Sequence, residues 1–534
     1  MRQPNFLLFM TDQQRADHLG CYGNSIVQTP NIDGIAERGR RFDKFYVACP
    51  ICMPNRIAMM TGRMPGTNGS RHNGIPLDLE AVTFVDLLRS AGYKTALIGK
   101  SHLQNMTGRP VSDDASQQKA SLAEPPEDLG DAVRERRTGP AYEAEMMKQW
   151  AENPDREIRL PYYGFDHVRF ANGHGDQVHG HYDRWLQDRH TNPEALRGPE
   201  AALETPGLRA PQAWRTSVPE ELYPTSYIAD ETLSFLDEVA KGDESQPFFI
   251  QCSFPDPHHP FTPPGRYFDL YDPNDIPLPE TFKTIGKDEH PFLTALRSDT
   301  LNDKADDAGP RPFVMTDADA TRQIIALTYG MITMVDDAIG RILEKLRACG
   351  LDENTIVIFT SDHGDFMGDH GLMLKHGLHY NGVLRVPFIW SEPDGAGASV
   401  SQQLSGTIDI GTTILARAGL APQNGSQGMD IISGTGSDEL ASRKGMLVEE
   451  DELGIHLGRD EGMRTRTFVT GRWRLSLFDG MDYGELFDRE IDPGETQNLW
   501  NSPAHAQPRA ELMELMLREM IRLGDTAPRP THVA

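Results

Sequence analysis

Four short apolar runs constrain this chain more than any other feature. They are residues 6–10, 95–99, 248–252 and 355–360, rich in Phe, Ile, Leu and Val and without polar alternation. Runs of that length and character read as strands buried on both faces of a mostly parallel sheet. Helical patterns lie between them. Residues 83–91 read as a helix closed by Gly92. Residues 319–349 place Ile324, Leu327, Met331, Val335, Ile339, Ile342 and Leu346 on one face before Gly350, which predicts a long amphipathic helix. Alternating strand and helix predicts an α/β sandwich.

The C-terminal part has another rhythm. Phe468-Val469 and residues 473–477 flank Gly471, which predicts a hairpin. Residues 485–488 form a further short strand, Asp492-Pro493-Gly494 a turn, and about 504–523 a last helix. The division expected is a catalytic α/β domain over 1–435 and a small α+β domain with an antiparallel sheet over 436–534. Three Pro- and acid-rich stretches, about 105–160, 187–222 and 270–318, read as long surface insertions.

Composition closes off other classes. The net charge is −27, from 52 Lys+Arg and 79 Asp+Glu, which disfavours nucleic acid as a partner. Five cysteines in 534 residues do not make a disulfide framework. The first strand-like segment, residues 5–10, is only six residues long and ends in Thr11-Asp12, so it reads as a strand rather than a signal peptide. No stretch approaches the roughly 20 apolar residues of a membrane helix. A cytoplasmic enzyme with no membrane partner is expected.

Ligands of open α/β sheets bind beyond the carboxyl ends of the strands. After the four runs come Asp12-Gln13, Lys100 with His102, His258-His259 and Asp362-His363. An Asp after a strand is most often a cap, and a lone His most often a satisfied core residue. Four such sets on one edge point to a metal site that also binds an anion. The chemistry alone reaches a metal-assisted hydrolase. The overall negative charge does not oppose an anionic substrate, because the local field governs.

Cys52-Met53-Pro54-Asn55-Arg56 is a C-x-P-x-R motif, followed by a short helical stretch that ends at Gly62. Here the chain resembles the type I sulfatases of the alkaline phosphatase superfamily. In that family the cysteine is oxidised to formylglycine by a separate enzyme. Further segments look like the family's own. They include residues 16–23 and 29–33, Gly99-Lys100-Ser101-His102, Pro257-His258-His259-Pro260-Phe261, and residues 360–371. Residues 484–488 and 492–496 look like its C-terminal hairpin, and the insertions are not covered. Asn55 stands where Ser is commoner, and Ser101 where the family has Trp. Asp12-Gln13 and Asp362-His363, with Asn73, look like choline sulfatases and phosphonate monoester hydrolases. Lys100 and His102 are a sulfatase feature.

The resemblance implies hydrolysis of a sulfate monoester to alcohol and sulfate. A hydrated aldehyde carries two hydroxyls. One attacks sulfur, and removal of the other's proton expels sulfate and restores the aldehyde. It implies that Asp12, Gln13, Asp362, His363 and modified Cys52 hold one divalent cation. Three oxygen donors and an imidazole suit Ca²⁺ first and Mn²⁺ as the alternative. Arg56 would orient the nucleophile or its neighbours, with a buried structural pair as its other reading. Lys100 and Lys375 would bind sulfuryl oxygens, with Asn73 on the oxyanion. His102 would be the base that opens the hemiacetal, and His258, with Lys375, would serve the leaving oxygen. A homo-oligomer is implied as well.

Two rivals stay open. One is a phosphonate monoester or phosphodiester hydrolase with the same groups. The other is an unmodified, inert anion-binding member. Cys49-Pro50-Ile51-Cys52 also reads as C-x-x-C, but no second cysteine pair accompanies it. His259, His370, His376 and His379 read as rim or structural residues, and Cys21, Cys49, Cys252 and Cys349 as ordinary thiols.

Overall fold

The computed structural model describes residues 3–108, 126, 137–242, 246–286, 288–300, 312–395, 397–434, 440, 442–452 and 462–532. Eight strands form the main sheet. They are β1 (Asn5–Thr11), β2 (Arg40–Phe42), β3 (Lys94–Gly99), β4 (His167–Phe170), β5 (Phe248–Ser253), β6 (Thr355–Ser361), β7 (Phe388–Ser391) and β8 (Ser399–Ser401). Their order is β8-β2-β7-β6-β1-β5-β3-β4. The run from β6 to β4 is parallel throughout, and β7 turns antiparallel against β6. The four apolar runs therefore stand side by side, with their carboxyl ends on one edge.

The alternation along β1 explains the layers. Phe6, Leu8 and Met10 enter one apolar core, and Leu7 and Phe9 enter the other. Helices α1 (Pro30–Glu37), α4 (Pro224–Lys241) and α5 (Ala318–Ala348) cover the second face. Helices α2 (Cys52–Thr61), α3 (Phe84–Ser90) and α6 (Ile410–Arg417) cover the first. Strands buried on both sides have no use for polar side chains, hence the uninterrupted runs. Thr83 and Asp86 close a capping box on α3, and the Asp317 carboxylate accepts the Asp319 and Ala320 N–H groups at the start of α5.

The C-terminal domain is a four-stranded antiparallel sheet, β9 (Met446–Glu452), β10 (Met463–Val469), β11 (Trp473–Phe478) and β12 (Gly484–Asp488), in that order. The hairpin around Gly471 joins β10 to β11 as expected. Helix α7 (Ala506–Arg522) brings Leu512 and Met516 into the same core as Leu475 and Leu486. The expected boundary at 435 lies outside the described residues. No helix among the described residues is long and apolar enough to cross a membrane.

One expectation needs correction. The described part of the 105–160 stretch is not surface decoration throughout, because Glu145 and Trp150 are fully buried. The reason lies in the chain after β3. His102 has φ 59, and the Glu145 carboxylate accepts the N–H groups of His102, Leu103 and Gln104 at 2.7–3.0 Å. Hydrogen bonds to a charged acceptor contribute about 1.5–3 kcal/mol each, which holds this turn in place.

Candidate active site

Each strand end delivers its polar residues to one point. Asp12 and Gln13 leave β1, and Asp362 and His363 leave β6. The Asp362 carboxylate accepts the Gln13 backbone N–H at 3.1 Å, so the two strand ends lock together. Helix α2 begins at Cys52, and the Asn73 side chain accepts the Met53 N–H at 3.2 Å. Asn55 fastens this helix. Its Oδ1 accepts from Ala48 N at 2.9 Å and Thr407 Oγ1 at 2.7 Å, while its Nδ2 donates to the Asp362 carbonyl.

The donor atoms of Asp12, Cys52, Asp362 and His363 all lie within 4.8 Å of one another, and all four residues are buried. The Lys375 ammonium reaches this group from the loop after β6. It stands 3.0 Å from Gln13 Oε1, 3.1 Å from Cys52 Sγ, and 2.9 Å from both His258 Nε2 and His363 Nε2. Lys100 pairs with Asp12 and approaches His174 Nε2 at 2.7 Å. Arg56 donates through Nε to Asp362 at 2.7 Å, and through Nη1 to Ser253 Oγ at 3.0 Å and the Lys100 carbonyl at 3.1 Å. It also pairs with Asp12 at 3.4 Å. Arg56 thus holds the two carboxylates rather than hydrogen-bonding Cys52.

The electrostatics follow from this packing. Burial pushes Asp12 up, but Lys100, His258, His363 and Arg56 together hold it well below the usual carboxylate range. Burial and Asp12 raise the Cys52 thiol, and Lys375, Lys100 and His363 outweigh them, so it falls below its ordinary value. His363 is pushed up to about 9: burial opposes its charge, and Asp362, Cys52 and Asp12 overcome that. His102 and His258 go the other way. Burial drives both well below the usual imidazole value, with Lys100 aiding at His102 and His174 and Lys375 at His258.

Three features of the donor set fit a divalent cation. The His363 Nδ1–H donates to the Gly364 carbonyl at 2.8 Å, which turns Nε2 into the cluster. The Gln13 amide nitrogen donates to Asp365, which turns Oε1 the same way. Two buried carboxylates complete a set of oxygen and imidazole donors suited to Ca²⁺ or Mn²⁺.

Asp12, Gln13, Cys52, Arg56, Lys100, His258, Asp362, His363 and Lys375 lie in one hydrogen-bonded cluster, Asn73 borders it through Met53, and the His102 side chain makes no hydrogen bond among the described residues. Its Nδ1 is buried without a partner among the described residues. Sequence reading missed His174. It lies just past β4 and stacks on His258, with ring centroids 3.6 Å apart, while His258 stacks on His259 at 4.0 Å. The signal was present, because β4 is another parallel strand whose carboxyl end meets the same edge. It was hidden because residues 167–170 alternate polar and apolar at the sheet margin. His370 stacks on Tyr380, and His376 and His379 bind Glu452 and Glu450. The five cysteines are free, and burial pushes the Cys252 thiol up to about 12.

The model of the family described as Sulfatase matches residues 4–420, and one described as N-sulphoglucosamine sulphohydrolase, C-terminal, matches residues 368–522. An arylsulfatase of Clostridium perfringens is 27% identical over 97% of this chain and 94% of its own length. A choline-sulfatase of Rhizobium meliloti is 24% identical over 96% of this chain and 85% of its own. Among solved structures, the phosphonate monoester hydrolase of Agrobacterium radiobacter superposes with a TM-score of 0.75 at 24% identity, covering 100% of this chain and 98% of that one. The chain belongs to the sulfatase family.

Proposed function

We propose that this sulfatase-family hydrolase cleaves a small-molecule sulfate monoester to alcohol and sulfate through formylglycine at position 52. The observation that carries this reading is the place of Cys52. It opens a buried helix with its Sγ among Asp12, His363 and Lys375. Asp12, Gln13, Asp362 and His363, with residue 52, would hold one divalent cation, Ca²⁺ by preference and Mn²⁺ as the alternative. That cation would polarise the ester and lower the pKa of the attacking hydroxyl.

The chain's own groups account for the rest. Lys100 and Lys375 offer ammonium protons to the sulfuryl oxygens, where fixed positive charge counts most. His258 donates its Nδ1–H to the His259 carbonyl at 2.6 Å, so Nε2 faces the Lys375 ammonium at 2.9 Å. Burial keeps His258 neutral. The pair then stabilises the leaving oxygen through a Lys375 N–H. His102, neutral for the same reason, serves as the base that takes the proton of the second hydroxyl. Arg56 helps to keep Asp12 ionised and holds both Asp12 and Asp362 in place.

Gln13 and His363 favour a second reading, a phosphonate monoester or phosphodiester hydrolase using the same groups. Lys100 and His102 favour sulfate. Catalytic efficiencies on an aryl sulfate and on a phenyl phosphonate monoester separate them. The sulfate is expected to be the better substrate, and a much higher efficiency on the phosphonate would overturn the assignment. A modifying enzyme for Cys52, a cytoplasmic setting, a homo-oligomer and the two-domain division at 435 belong to the same proposal.

A further inference from the structure

Strand β9 of the C-terminal sheet carries two carboxylates, Glu450 and Glu452, that are 1% and 2% exposed. Ionised carboxylates at that depth are costly unless paired. Both are paired, and among the described residues their side-chain partners come from loops beside the Cys52–Lys375 cluster. One Glu452 oxygen meets His72 Nε2 at 2.9 Å and the other meets His376 Nδ1 at 2.9 Å. Glu450 accepts the Gly377 N–H at 2.9 Å and meets His379 Nε2 at 2.7 Å.

Two facts make these contacts more than a seam between domains. First, Lys375 sits between Leu374 with φ 69 and His376 with φ 89. Two side-chain-bearing residues in the left-handed region persist only where the surroundings over-determine the backbone. Asp365 holds the Leu374 N–H at 3.0 Å on one side, and Glu452 and Glu450 hold His376 and Gly377 on the other. Second, the residue after His72 is Asn73, which accepts the N–H of Met53 in the first turn of α2. Glu452 therefore grips the lysine loop with one oxygen and the loop capping the Cys52 helix with the other.

We propose that Glu452 is a positioning residue for the hydrolysis. Through His376 and His72 it fixes the Lys375 ammonium relative to residue 52, and Glu450 locks the backbone just beyond. The C-terminal sheet thus completes the reaction centre without touching substrate. The inference rests on the reading of Lys375 as a sulfuryl- and leaving-group-binding lysine.

Glu452→Gln keeps the shape and removes the charge. The test uses the full chain with rates normalised to aldehyde content at position 52. Misplacing Lys375 is expected to lower kcat on an aryl sulfate at least about tenfold while KM changes less than about threefold. In a Lys375→Ala background the same substitution is expected to cost less than about threefold, because its route is already gone. An unchanged kcat, or an undiminished cost beside Lys375→Ala, would overturn the proposal and mark Glu452 as domain glue. Should E452Q not fold, His376→Gln cuts the lysine arm alone and carries the same comparison. If Lys375→Ala is inactive and E452Q fully active, only this inference fails. If Lys375→Ala is itself fully active, the reading of the lysine fails with it.

Discussion

Gly99 ends β3, and the next residue puts Lys100 into the site. Its φ is 110, and a Cβ built there would lie 1.9 Å from the Ser253 carbonyl oxygen and 2.8 Å from its carbon. Real Cβ contacts essentially never fall under 3.0 Å, so Gly99→Ala must part β3 from β5 by about 1 Å. The same carbonyl accepts the Lys100 N–H at 2.9 Å, and the Ser253 hydroxyl accepts from Arg56. The displacement therefore falls on two site residues. A shift of about 1 Å at a catalytic group costs about 100-fold in rate, or about 2.7 kcal/mol of transition-state stabilisation. Stability falls as well, by about 1–3 kcal/mol for the backbone strain and about 1 kcal/mol for the weakened Lys100 bond. Unfolding entropy of about 2.1 cal/mol/K per residue gives about 1.1 kcal/mol/K for 534 residues. The expected Tm loss is then about 2–4 °C. Steady-state kinetics on an aryl sulfate and a thermal scan measure both. Full activity with an unchanged Tm would refute the close approach of β3 and β5.

Other expectations come from the same contacts. Cys52→Ala and Asp362→Ala should each abolish turnover while circular dichroism stays that of a folded protein; near-normal activity in C52A would displace the nucleophile. Arg56→Met breaks a fully buried pair with Asp12 and Asp362, which should cost about 3–5 kcal/mol and is read as a fall in Tm under chelation. Chelation itself should stop turnover, with Ca²⁺ or Mn²⁺ restoring it, followed by calorimetric titration. Asp256 is fully buried, and burial pushes its carboxyl up to about 7, above the unfolded value of about 3.9. Its contribution to stability is then complete below about pH 4 and is lost as pH rises through about 7. Asp256→Asn should therefore gain Tm relative to wild type between pH 5 and 8, and a constant difference would contradict the assignment.

The sheet was legible because strands buried on both faces must be apolar along their whole length. The runs 6–10, 95–99, 248–252 and 355–360 became β1, β3, β5 and β6 with at most a residue added at an end. Most of the site was legible for a related reason, since parallel strands deliver the residues just beyond them to one edge. His174 escaped because β4 is a margin strand with an alternating pattern. Glu450 and Glu452 escaped because their meaning is tertiary. In sequence they are two acids on a strand, and only the fold brings His72, His376 and His379 against them. Asn55 shows a third limit. Where the family pattern often has Ser, this chain needs an amide that accepts from Ala48 and Thr407 and donates to Asp362. A serine hydroxyl matches these bonds in number, but it is shorter and puts donor and acceptors on one atom, where Asn55 separates them on Oδ1 and Nδ2. The turn at His102 depends on Glu145, from a stretch that reads as surface.

Position 52 does not act as a cysteine in the mechanism proposed. Mass spectrometry of the peptide containing it, from protein co-expressed with a formylglycine-generating enzyme, tests this directly. The expected result is loss of the thiol and gain of an aldehyde that reacts with a hydrazide, in proportion to aryl sulfatase activity. An intact Cys52 thiol in protein that turns over the sulfate would contradict it.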